Sequence, residues 1–93
     1  MRNYELVCIF QPELDDTAFK VAVERVSGWV KDAGGSVEKT EVWGRRKLAY
    51  IIHKQTEGQY VLFNIALDPK AASGLERNIR YLETAMRHML TAM

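Results

Sequence analysis

The sequence predicts an α+β domain of ferredoxin-like βαββαβ order: a four-stranded antiparallel sheet with both helices on one face. Three observations predict it. Two-residue alternation of apolar side chains marks strands at Tyr4 to Phe10 and Tyr60 to Leu67. Two stretches with apolar residues three and four apart, each opened by an aspartate, mark helices between strands. The 93 residues allow one hydrophobic core and no second domain.

In the first strand Tyr4, Leu6, Cys8 and Phe10 share one side, and Glu5, Val7 and Ile9 share the other. Gln11-Pro12 stops it. Asp15-Asp16-Thr17 then supplies capping oxygens and negative charge for a helix running to about Ala33, with Phe19, Ala22, Val23, Val26, Trp29 and Val30 as its buried stripe. Gly34-Gly35 ends the helix. Ser36 to His53 is read as one long strand bent near Gly44, because β-branched and aromatic residues run through it despite the cations in its middle. The polar segment Lys54-Gln55-Thr56-Glu57-Gly58 is read as the hairpin connection to strand three. In that strand Val61, Phe63, Ile65 and Leu67 form the core file, leaving Tyr60 and Leu62 opposite, on an open sheet face whose candidates also include Glu5, Val7 and Ile9. Asp68-Pro69 opens the second helix, whose inward residues are Leu75, Ile79 and Leu82. Glu83 to Met93 holds good helix formers and no breaker. It is assigned as the fourth strand because no other segment can complete the sheet.

Composition removes several function classes. An apolar share of 47% with 27% charged residues is that of a folded globular chain and not a disordered one. Apolar runs are far short of the roughly 20 residues that a membrane helix needs. The opening residues pass straight into a strand pattern without a secretory signal, which predicts a cytoplasmic location. Cys8 is the one cysteine and reads as a packed thiol. His53 and His88 lack partners at metal-ligand spacing and read as surface or rim residues, so no metal or cofactor is implied. The acidic trio Glu13, Asp15 and Asp16 is accounted for by helix capping, and Gly34-Gly35 follows a helix instead of opening one, unlike a phosphate loop. No nucleophile is matched with a base, and the chain is not read as an enzyme.

Charge is distributed unevenly. Residues 1–41 carry five Lys/Arg against eight Asp/Glu, residues 42–60 four against one, and residues 61–93 four against three. The basic block is Trp43-Gly44-Arg45-Arg46-Lys47-Leu48-Ala49-Tyr50. Guanidinium forks at Arg45 and Arg46 suit phosphate oxygens, and Lys47 adds a mobile point charge; the same cations on an edge strand would also discourage aggregation. Strand alternation puts Arg45 and Lys47 on one side and Arg46 on the other. Arg77 and Arg80, neighbours on the second helix, and Arg87 beyond it add a second basic set.

These residues resemble the bacterial small-subunit ribosomal protein six family nearly end to end. The resemblance is carried by Met1-Arg2-Asn3-Tyr4-Glu5, Pro12-Glu13-Leu14-Asp15, Gly34-Gly35 with Val37-Glu38-Lys39, and above all the Trp43 to Tyr50 block, with Glu57-Gly58-Gln59-Tyr60 and the Leu75 to Arg87 stretch in support. It implies a ferredoxin-like fold without catalytic activity that pairs with small-subunit ribosomal protein eighteen and binds the central domain of 16S ribosomal RNA. The implied RNA contacts are Arg2, Tyr4, Arg46, Arg80 and Arg87, then Arg45, Lys47, Lys54 and Arg77. Ile51 stands where the family often has proline. Two other readings share the element order. A general RNA-recognition module would carry stacked aromatics on strand three, and a dimeric ferredoxin-like enzyme would enclose an apolar pocket with a polar group inside.

Overall fold

The computed structural model describes residues 1–52 and 54–93, so the reading of His53 lies outside the described residues. The elements are β1 (Arg2–Phe10), α1 (Asp16–Asp32), β2 (Ser36–Ile52), β3 (Gln55–Leu67), α2 (Pro69–Arg80) and β4 (Ala85–Ala92). Neighbours in the sheet are antiparallel, in the order β2-β3-β1-β4. The two crossover helices lie on one face, α1 alongside β2 and α2 alongside β4. This is the split βαββαβ arrangement. The tail is strand as assigned: Leu90 pairs with Leu6 and His88 with Cys8, so ladder bonds to β1 override local helix propensity.

The core lies between sheet and helices. It is built from the β1 file Tyr4, Leu6, Cys8 and Phe10 and the β3 file Val61, Phe63, Ile65 and Leu67, with Ala22, Val26 and Val30 of α1 and Leu75 and Ile79 of α2. Asp15 caps α1 by accepting from the Ala18 amide at 2.7 Å, and Asp68 caps α2 by accepting from the Lys70 amide at 2.9 Å with Pro69 first in the helix.

Burial raises the Cys8 thiol pKa from 9.0 to about 12, since a thiolate there would lack solvation. Below pH 9 both folded and unfolded chains keep the thiol protonated. Above pH 9 only the unfolded chain releases the proton, so the contribution to stability falls until the folded pKa is reached. Denaturant titrations are expected to show wild type losing roughly a kcal/mol per pH unit more than Cys8→Ala between pH 9 and pH 11. Parallel pH profiles for the two proteins would contradict that assignment.

Two expectations are corrected. The segment from Lys54 to Gly58 is not a hairpin loop: β2 ends at Ile52 and β3 begins at Gln55, with Lys54 at φ +64°. Gly58 belongs to the ladder opposite Arg46 and is buried, because Ile9 occupies the space a Cβ would need. The sheet face away from the helices is also less open than the sequence suggests, since Ile9 and Leu62 are both buried. Ile9 is covered because the far part of the β2–β3 hairpin curls back across this face. Leu48, Tyr50 and Ile52 of β2 meet Ile9 of β1 and Met89 of β4 across the breadth of the sheet.

Candidate nucleic-acid interface

The curl begins at a β-bulge. Val42 pairs with Val61 on the helix side, and the next pairing is Gly44 with Tyr60, leaving Trp43 as the extra residue. Gly44 takes φ +84°, a backbone state that costs glycine little. In a regular strand Trp43 and Arg45 would share one side and Arg46 would take the other. The inserted residue reverses the alternation. Arg46, opposite Gly58, therefore joins Trp43 on the outer face, while Arg45, opposite Gln59, turns to the helix side.

Both consequences are visible in contacts. The Arg45 guanidinium donates to the Pro12 carbonyl at 2.7 Å. Beside it the Gln59 side-chain amide donates to the carbonyls of Gln11, Pro12 and Leu14 at 3.2, 3.4 and 3.2 Å, which ties the β1–α1 connection to the hairpin. On the outer face Trp43 stacks on Tyr60, with ring centroids 6.4 Å apart and planes at 14°, and the Arg46 Cζ lies 5.3 Å from the indole centroid. Farther along the hairpin the Arg87 Cζ of β4 lies 5.2 Å from the Tyr50 ring and fastens the curled segment across the sheet. Between them runs a groove of about 210 Å³ lined by Ile9, Leu48, Ala49, Tyr50, Ile52, Tyr60, Arg87 and Met89. It is apolar along its floor and basic at its rim.

The structure divides the nine residues implied as RNA contacts. Arg46 and Arg87 share the outer face, and Lys47 and Lys54 lie on the same hairpin, all exposed. Arg77 and Arg80 occupy the exposed last turn of α2, where they also oppose the negative end of the helix dipole. That turn leads into β4 at Ala85, opposite Phe10, so Arg80 lies at the same end of the sheet as the hairpin. Arg45 is engaged with Pro12. Arg2 sits opposite Leu67, at the far end of β3 from the basic hairpin. Tyr4 is only 8% exposed and packs in the core.

His88 takes the rim alternative of its surface-or-rim reading. It lies in the helix-facing file of β4 with its side chain 15% exposed, and its Nε2 is 3.1 Å from Glu76 Oε1 of α2. Trp43 and Tyr60 were not among the implied contacts, yet they form the aromatic centre of the outer face. The signal was an indole beside two arginines, but its orientation depends on a bulge that alternation alone does not reveal.

Comparison with known proteins agrees with this architecture. The family of Ribosomal protein S6 matches residues 3–92. A small ribosomal subunit protein bS6 of Clostridium botulinum is 42% identical over 90 residues, covering 97% of this chain and 96% of that protein. The bS6 of Clostridium novyi is 46% identical over 90 residues, covering 97% and 95%. The crystal structure of 30S ribosomal protein S6 from Thermotoga maritima superposes with a TM-score of 0.93 at 29% sequence identity, covering 99% of this chain and 87% of that one. With a full-length family match and a common fold, the chain belongs to the ribosomal protein S6 family, non-catalytic structural constituents of the small ribosomal subunit.

Proposed function

We propose that the chain binds the central domain of 16S ribosomal RNA jointly with small-subunit ribosomal protein eighteen, within the cytoplasmic ribosome. The observation that carries this reading is the placement of Arg46 and Arg87 on one sheet face that also holds an apolar groove, with Arg87 in the groove's lining. Cations at the rim neutralise RNA phosphates and release counterions, while the apolar floor offers the partner a surface that it desolvates. Lys47, Lys54, Arg80 and Arg77 extend the positive field at that end of the sheet, and Arg45 supports it by holding the base of the hairpin. Arg2, at the opposite end of the sheet, is a separate contact.

A net charge of +1 gives the free chain little attraction for a polyanion. Affinity for the central-domain RNA is therefore expected to rise steeply when protein eighteen is added and to fall with salt. Equal, salt-insensitive binding with and without the partner would overturn the proposal. Arg46→Glu and Arg87→Glu are each expected to weaken the ternary complex and to reduce the salt slope by about one. Both sites are exposed, so stability should change by only about half a kcal/mol. Filter binding across a salt series, paired with thermal melts, measures both quantities.

A further inference from the structure

We propose that Trp43, backed by Tyr60, is a stacking site for one unpaired nucleobase of the bound RNA, and that Arg46 leaves the indole to contact the flanking phosphate. The inference rests on the RNA-binding reading above and adds a ligand contact of a different chemistry.

The geometry is that of a supported platform. Trp43 is 41% exposed, so part of the indole is accessible to a ligand. Tyr60 lies nearly parallel at 14° and backs the indole. The Arg46 guanidinium, 5.3 Å from the indole centroid, is a replaceable cover. An exposed cation–π contact is weak, whereas a base stacked on an aromatic ring contributes more, so exchanging one for the other is favourable. The exchange also releases a guanidinium that can bond a phosphate bidentately. RNA supplies both groups at the required spacing, since each nucleotide carries a base and a flanking phosphate. A protein partner would have to place an anion and an apolar side chain separately.

The bulge strengthens the argument. Without it Arg46 would point to the helix side and Arg45 would take the place beside Trp43, away from the Pro12 carbonyl that it now bonds. The extra residue, with Gly44 at φ +84°, brings indole and guanidinium to the same face three positions apart. Open space surrounds the position where a Gly44 Cβ would stand, so the glycine serves the backbone turn and not a close packing contact.

Affinity for a central-domain 16S RNA fragment, measured across a salt series with and without protein eighteen, tests the site. Trp43→Leu is expected to weaken RNA binding roughly tenfold with an unchanged salt slope, and Trp43→Phe to recover most of it. Arg46→Ala is expected to lower the slope by about 0.7, the share of one phosphate contact on a single strand. Ultraviolet cross-linking of the unaltered protein to the same RNA, read by mass spectrometry, should place a nucleotide on Trp43 and does not depend on how a variant folds. RNA binding by Trp43→Leu equal to wild type, with no cross-link at Trp43, would overturn the stacking site and leave the RNA reading standing. A loss confined to protein eighteen binding would make the indole a protein contact and overturn it equally. If the wild-type protein fails to bind the RNA under any of these conditions, both readings fall together.

Discussion

Gly35→Ala is expected to destabilise the fold by about 3 kcal/mol, the upper end of the usual range for forcing a methyl group into a packed interior. A Cβ on Gly35 would press into the Ala66 carbonyl oxygen of β3 and stand 2.9 Å from Leu67 Cδ1 and 3.2 Å from Val30 Cγ1. The nearest obstacle is strand backbone, which cannot move aside without breaking ladder pairing. For a chain of 93 residues the whole stability is on the order of 5–14 kcal/mol, so one methyl group would remove a large share of it. A fall in melting temperature of roughly 12–24 °C should follow. The adjacent Gly34→Ala provides the control. Gly34 takes φ +85° with open space around it, so the cost there is the left-handed backbone penalty of about 1–2 kcal/mol. If the two variants melted together, the close approach of α1 to β3 would be disproved.

Phe10→Ala is expected to cost about 3–5 kcal/mol. Phe10 closes β1, is fully buried, and meets Phe19 of α1 edge to face with centroids 5.9 Å apart at 85°. Its loss would leave a cavity where the sheet, the first helix and the β1–α1 connection meet. Gln59 and Arg45 bond to that connection, so the gap cannot close without disturbing the base of the basic hairpin. The urea midpoint should fall while the slope of the transition stays near the wild-type value. A midpoint within experimental error of wild type would show that the ring is not part of the core.

Most of the fold was legible because single residues announced it. Asp15 and Asp68 cap the helices that they were expected to open, and the file Val61-Phe63-Ile65-Leu67 faces the core that its alternation implied, whereas for β1 the structure chose Tyr4-Leu6-Cys8-Phe10 between two partly apolar sides. Local information failed around the hairpin. Lys54 to Gly58 has loop composition, yet residues from Gln55 onward pair in a ladder, and Gly58 is glycine because Ile9 lies beneath it. His88 reads as a surface or rim residue until β4 is placed beside β1 and under α2, where Glu76 meets it. The functional surface was legible as a run of cations but not as a geometry. Tyr4 stands in a motif beside Arg2, yet one is packed in the core and the other lies at the far end of the sheet from Arg46.

The first five elements, the helix starts, the core file of β3 and the location of positive charge follow from spacing and residue type, because 2.0- and 3.6-residue periods and capping chemistry are local properties, whereas β4 followed from what the sheet required. Tertiary structure alone decided which arginine lies on the outer face and which bonds to the chain. A single unpaired residue at Trp43 reverses the alternation of the side chains from Gly44 to Lys47, and that reversal is settled by pairing with the neighbouring strand β3. The groove likewise exists only because residues of β1, β2, β3 and β4 converge on one face.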